Sequence, residues 1–201
     1  MPTFPRNFEP LFDWCHIKQQ ILGKRKIYIK YFQVFYCLRF FHTNYHELFI
    51  NFINDMGMKD FKQYKDTVYQ IIGAAMDVHG EVSWGLMEPI YNEALHLELL
   101  DRNIPNEREK QIHCYYKQHI LEKFYQADLV VGDVVVELKS VEELNSAHRA
   151  QLFNYLRLTR KPIGLLINFG QPSLQGERYG FCEDSNECIL LDKNMEPVYD
   201  F

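Results

Sequence analysis

Asp128, Glu137 and Lys139 lie within the stretch QADLVVGDVVVELK, residues 126–139, where nearly every other side chain is apolar. Gly132-Asp133 between two β-branched runs is a two-residue hairpin signal. The hairpin pairs Val131 with Val134, Val130 with Val135, Leu129 with Val136, and Asp128 with Glu137. Alternation along each strand then gathers Ala127, Leu129, Val131, Val134, Val136 and Leu138 on one apolar face. Asp128, Glu137 and Lys139 share the other face with Val130 and Val135. Two carboxylates directly opposite each other have Cβ atoms about 4.5–5.5 Å apart, and like charges so placed are destabilising. A divalent cation reverses the sign, because hard cations take carboxylate oxygens.

Three further residues converge on this hairpin. Glu88 sits on an earlier helix, three residues before Tyr91 and on the same helical face. Gln151 and Tyr155 lie on the helix that follows Lys139, with His148 on the same side. Taken singly, each has a plain structural role, and exposed ion pairs contribute only about 0–1 kcal/mol. Together, three carboxylates, a lysine and a glutamine suit one task. The carboxylates can hold Mg²⁺ or Mn²⁺. Such a cation acidifies a bound water and neutralises phosphodiester charge, and a lysine can position that water or stabilise the pentavalent state. Phosphodiester hydrolysis uses all of them.

The elements that must position these groups follow from periodicity. Apolar Val68, Ile71, Ile72, Ala75 and Val78 predict a helix over 59–79 that Gly80 ends. A second helix is expected from about Gly85 to Arg102, with Pro89 in its first turn and a buried stripe of Leu86, Ile90, Ala94, Leu97 and Leu99 or Leu100. Residues 106–117 read as a strand, His119 to Leu121 as a turn, and the region from Phe124 as the strand entering the hairpin. Glu142 to Thr159 reads as a helix along a stripe of Leu144, Ala147, Gln151, Leu152, Tyr155 and Leu158, with Ser140 as N-cap and Glu143 completing a capping box. Residues 163–169 (IGLLINF) read as a buried strand, parallel to its neighbour across the helical connection. One or two edge strands follow around 179–181 and 188–191.

The series Gly85-Leu86-Met87-Glu88-Pro89-Ile90-Tyr91, REK at 108–110, ADLVV at 127–131, VVVELKS at 134–140, His-x-x-Gln running into AQLFNYLRLT at 150–159, and GLLINFG at 164–170 resembles the PD-(D/E)XK nuclease superfamily. In order and spacing it is most similar to one branch, the bacterial GxxExxY proteins. The resemblance covers roughly residues 60–180. It implies an α/β fold, a restriction-endonuclease-like core whose mixed β-sheet of about four strands is flanked by α-helices. It implies metal binding by Glu88, Asp128 and Glu137, catalysis by Lys139 with Glu137, Asp128 and Gln151, and supporting roles for Tyr91, His148 and Tyr155. The cofactor it implies is Mg²⁺ or Mn²⁺, and the partner a nucleic acid, DNA before RNA. Ala127 stands where the superfamily name has proline. The alternative is a non-catalytic nucleic-acid-binding or protein-binding module on a nuclease fold.

The bulk numbers fit a globular chain. It has 201 residues, 47% hydrophobic content and a net charge of -5, so no global basic signature points to nucleic acid. Binding is expected to use a local patch, for which Arg149, Arg157, Arg160 and Lys161 are candidates. Five cysteines, an odd number without a CxxC pair, argue against zinc and a disulfide framework and for a cytoplasmic setting. No apolar run is long enough to span a bilayer. Residues 1–57 stand apart, with 14 of the 30 aromatics and a charge of +3 against -8 for 58–201. They read as an aromatic, basic appendage that stacks on nucleic acid, as a packing extension, or as an upstream mis-start, with residues 58–201 as the nuclease-like domain.

Overall fold

The Gly132-Asp133 turn forms as the sequence predicts, with Gly132 at φ 55° in the left-handed region where glycine is least strained. It joins β2 (His119–Val131) to β3 (Val134–Lys139) with the pairs Val131↔Val134, Val130↔Val135 and Leu129↔Val136. The computed structural model describes residues 60–198; the readings made for residues 1–57 lie outside them. Among the described residues, β1 (Glu107–Tyr116), β4 (Ile163–Asn168), β5 (Gln175–Cys182) and β6 (Glu187–Leu191) complete one sheet in the order β1-β2-β3-β4-β5-β6. The sheet therefore has six strands rather than about four, because the hairpin β1–β2 and the tail strands β5 and β6 extend the central pair on both sides. All neighbours are antiparallel except β3 and β4, which run parallel. Every residue of β3 and β4 is buried, as expected of parallel strands covered on both faces.

Helices α1 (Lys65–Val82) and α2 (Glu88–Asp101) cover one face and α3 (Ser146–Thr159) the other. The first core joins Val68, Ile71, Ala75 and Val78 of α1 and Tyr91, Leu95 and Leu99 of α2 to Leu129, Val131, Val134, Val136 and Leu138. The second joins Leu152, Tyr155 and Leu156 of α3 to Val130, Val135 and Leu166. Ala127 belongs to this second core and not, as alternation predicts, to the Leu129 face. Strict alternation is broken between them at Asp128, opposite Glu109, which adopts φ 53°.

Other boundaries shift for identifiable reasons. Gly80 does not end α1, which continues through it to Val82 and stops at Ser83, φ 64°. The strand His119–Val131 absorbs the turn expected at His119 to Leu121; the chain reverses at Lys117-Gln118, where Lys117 takes φ 56°. The N-cap of α3 is Asn145, not Ser140. Its side chain accepts from the Ala147 and His148 N–H groups, and the His148 ring accepts from the Asn145 N–H. The stripe of α2 is rotated from the expected one. Tyr91, Asn92, Leu95 and Leu99 are buried, whereas Leu86, Ile90, Leu97 and Leu100 are exposed. Apolar residues surround this helix, so periodicity does not select a face, and packing against the sheet does. In α3, Leu152, Tyr155 and Leu156 are buried while Ala147 and Leu158 are exposed.

The α2 correction has a direct test. Leu95→Ala should lower the free energy of unfolding in urea by about 2–5 kcal/mol. Leu97→Ala should change it by no more than about 0.5 kcal/mol. Equal losses would restore the stripe read from the sequence.

Candidate active site

The site forms where β2 and β3 stop pairing regularly. The ladder ends at Leu129↔Val136, one step short of Asp128. Beyond it the Asp128 side chain replaces a backbone acceptor: Oδ2 receives the Leu138 N–H at 2.7 Å. Oδ1 receives the Asn92 Nδ2 amide at 3.0 Å. Asp128 is thus fixed by α2 and β3 together, and the expected face-to-face pair with Glu137 becomes a converging one. Glu88, at the first position of α2, brings the third carboxylate. One oxygen from each of Glu88, Asp128 and Glu137 lies within 4.8 Å of the others.

Lys139 is the cation among them. Its Nζ donates to Glu137 Oε1 and lies 3.4 Å from Glu88 Oε1. Three carboxylates against one ammonium leave an excess of two negative charges when all are ionised. Glu137 is almost fully buried, and its Oε2 has no hydrogen-bond partner among the described residues. Leaving such an oxygen unsatisfied is costly. Burial, reinforced by the Asp128 and Glu88 charges, pushes the Glu137 carboxyl up to about 8 despite Lys139. Burial also raises Asp128 against the Leu138 N–H and Lys139, and raises Glu88 against Lys139. Burial alone would lower Lys139, but the hydrogen bond and charge of Glu137, with Glu88 and Asp128, outweigh it and leave the ammonium more firmly protonated. A compact, all-oxygen donor set with a doubly negative excess and an orphaned buried oxygen fits a hard divalent cation.

The loops at this end of the sheet are tied together. The Tyr91 hydroxyl donates to the Ser83 carbonyl at 2.9 Å and accepts the Leu86 N–H at 3.0 Å, while its ring stacks on Phe169 at 4.4 Å. Tyr91 therefore shapes the Ser83–Met87 turn that delivers Glu88 and does not contact the carboxylate itself. The Ser140 hydroxyl donates to the Leu86 carbonyl, joining that turn to the end of β3. Asn168 is fully buried; its amide nitrogen donates to the Val141 carbonyl and its oxygen accepts from the Val141 and Gly170 N–H groups. A Cβ at Gly170 would meet Val141 O at 2.3 Å, so only glycine allows this approach. Glu88 lines an open cleft of about 650 Å³ with Trp84, Ser140 and Gln171, which gives its carboxylate access to solvent.

Gln151 and His148 stand further back. Gln151 donates from Nε2 to the Tyr155 hydroxyl at 2.7 Å, and that hydroxyl donates to the Gln126 carbonyl at 3.0 Å. His148 is engaged in the N-cap of α3. The four basic residues considered for a phosphate backbone are not brought to the site. Arg149 is held bidentately by Glu177, at 2.8 and 2.6 Å. Arg157, Arg160 and Lys161 lie at the other end of α3, where Lys161 donates to the Gly132 carbonyl of the hairpin turn. Sequence reasoning missed Asn92 and Asn168. Asn92 is four residues after Glu88, a spacing that places both on one helical face. Nothing local distinguishes Asn168, which takes two of its bonds from a loop residue 27 positions earlier.

A family model described as the PD-(D/E)XK nuclease superfamily matches residues 65–179. A six-stranded mixed α/β sheet carrying converging carboxylates and a lysine at the end of a hairpin is consistent with a nuclease-like fold. The chain belongs to the PD-(D/E)XK nuclease superfamily. Members of it usually use divalent metals and act on nucleic acid. No curated protein sequence matches the chain. Among solved structures, the crystal structure of SSO0001 is similar at 16% identity and a TM-score of 0.39, over 62% of this chain and 64% of that one. No helix among the described residues is long and apolar enough to cross a membrane.

The raised Glu137 carboxyl has a signed consequence. The folded chain retains its proton above the ordinary value of 4.5, whereas the unfolded chain releases it. Stability without metal is therefore lost as pH rises from about 4.5 to about 8, by up to about 1.4 kcal/mol per pH unit. Denaturant titrations in chelator should show this slope, and Glu137→Gln should flatten it. An unchanged slope in that variant would place the titration elsewhere.

Proposed function

We propose that this chain is a Mg²⁺- or Mn²⁺-dependent nuclease that hydrolyses phosphodiester bonds of DNA or, as second choice, RNA, within the domain spanning residues 58–201. The observation that carries the reading is Glu137 Oε2, a buried carboxylate oxygen without a partner among the described residues, between two further carboxylates and beside a lysine. Glu88, Asp128 and Glu137 would hold the ion. When bound, the cation supplies Lewis acidity toward the phosphate and acidifies a water. Lys139 keeps its proton and offers N–H donors to the attacking water or to a phosphoryl oxygen where charge develops. It is free to do so once a cation takes over its present partners. Asn92 holds Asp128 in its ligating orientation from behind. Gln151, steadied by Tyr155 and one turn from His148, would support the site from α3. Tyr91 and Ser140 fix Glu88. The order of motifs supports the GxxExxY branch as the nearest relatives.

Two experiments test this. Plasmid and single-stranded DNA should be cleaved with Mg²⁺ or Mn²⁺ and not in EDTA, and Lys139→Ala should lower the rate by about 10²-fold or more. Cleavage that survives either change would overturn the mechanism. Mn²⁺ should raise the thermal midpoint of the wild type, with an apparent affinity that increases with pH toward about 8 because binding displaces the Glu137 proton. Asp128→Asn should remove the rise. An equal rise in that variant would put the ion at another site.

A further inference from the structure

The β1–β2 hairpin is longer than the part of the sheet that supports it. β3 pairs with β2 only over Leu129–Val131, whereas β1 follows β2 out to Tyr116↔His119. From Gln126 outward the two strands have only each other as strand partners among the described residues. Residues 121–123 fall in a register shift before the pair Tyr116↔His119, and the pair Ile112↔Tyr125 puts both of its side chains on one face. It is the α3 face: Ile112 and Ala127 pack in the core with α3, and the Tyr125 ring meets Tyr155 edge-on at 5.8 Å. Tyr116 is 61% exposed, Leu121 43% and Tyr125 40%. The acid of this segment, Glu122, is exposed beside Lys123. Residues 110–126 carry Lys110, Lys117 and Lys123 against Glu122, a charge of +2 in a chain of -5.

We infer that this ribbon is the binding surface for a single-stranded nucleic acid. Lysines interleaved with exposed tyrosines are the combination that holds an unpaired strand: the ammonium groups take phosphates and the rings stack on open base faces. Lys117 lies 5.4 Å over the Tyr116 ring, so cation and ring already form one unit at the tip. A closed duplex hides its base faces and leaves the rings unused. Charge favours a polyanion here, because residues 58–201 outside the ribbon are strongly net negative. Position connects the ribbon to chemistry. Tyr125 leads to Tyr155, which holds Gln151, and β2 runs three residues further to Asp128. The inference names the substrate class of the proposed nuclease and rests on that reading for its place in the reaction; the binding itself rests on the ribbon alone.

The test is fluorescence anisotropy on the full chain in EDTA, with labelled oligo-dT, oligo-rU and a blunt duplex. At least one single strand should bind more tightly than the duplex, and the ratio of dT to rU then names the preferred sugar. Tyr116→Ala and Tyr125→Ala should each weaken binding about tenfold or more, and Lys123→Glu should also reduce its salt dependence. Tyr116 and Lys123 are exposed, so the thermal midpoints of their variants should stay at the wild-type value, whereas Tyr125→Ala also removes the Tyr155 ring contact and should lower its midpoint slightly. Binding within about twofold of wild type in all three variants overturns the inference, as does equal duplex binding with the same sensitivity. A loss of self-association in sedimentation without a loss of oligonucleotide binding overturns it in favour of a second copy of the chain. The two readings fail separately. Ribbon-dependent binding without Mg²⁺- or Mn²⁺-dependent cleavage defeats the nuclease reading alone. Cleavage of single strands with unchanged KM in the ribbon variants defeats the ribbon alone.

Discussion

One ammonium set against three carboxylates is the interaction on which the rest of this structure depends. Lys139 cannot neutralise Glu88, Asp128 and Glu137 together, and Glu137 is too deeply buried to borrow solvent. In a protein interior such an imbalance is relieved by taking up a proton or a cation. The fold makes both available at one place. Protonation of Glu137 is the answer in the chain alone, which is why its carboxyl titrates so high. A divalent ion is the answer that also releases Lys139 to face a substrate. A bound cation would compete with the proton for the same oxygens, which would link metal affinity to pH through Glu137.

The surrounding architecture holds that imbalance in place. A regular hairpin would have relaxed it by letting the carboxylates turn outward. Here the ladder stops before Asp128, and the freed Leu138 N–H is given to its side chain. Asn92 pins the second oxygen from α2. Glu88 arrives from a turn that is itself fixed at three points, by the Tyr91 hydroxyl, by Ser140 and, through Val141, by Asn168. Asn92 holds Asp128 from α2, whereas the Ser140–Leu86 tie forms part of the cleft wall beside Glu88.

What the sequence disclosed and what it concealed divide along the range of the interactions. Gly132-Asp133 and its flanking valines were legible because a two-residue turn dictates the register of its neighbours. The parallel placement of 163–168 was legible because a helix of this length returns the chain to the same end of the sheet. The convergence of Glu88, Asp128, Glu137 and Lys139 could be anticipated from motif order, since the superfamily pattern encodes contacts that spacing does not. The α2 stripe was not legible: Leu86, Ile90, Leu97 and Leu100 are as apolar as Leu95 and Leu99, and only the sheet decides between them. The Asn145 cap outcompeted Ser140 because Ser140 is already committed to Leu86 across the site. Ala127 changed faces because the Asp128 carboxylate replaces a backbone partner, an event no alternation rule contains. Asn168 takes two of its bonds from Val141, a loop residue 27 positions earlier that nothing local in the sequence announces.

Charge gives the last link between site and surface. The basic residues that a sequence scan nominates around α3 are consumed by structure: Arg149 by Glu177, Lys161 by the Gly132 carbonyl. Ion pairs of that kind leave little field for a polyanion. The β1–β2 ribbon differs at its tip, where Lys117 lies over the Tyr116 ring, although Lys110 further in is paired with Glu107. An acidic chain that must admit a phosphodiester needs such a segment, or the carboxylates that hold the cation will repel the substrate before it arrives. The same strand that carries Asp128 at its inner end carries Lys123 and Tyr125 further out. A strand captured on the ribbon is thus guided toward the carboxylates by the continuity of β2 itself, and no hinge between binding surface and chemistry has to be invoked.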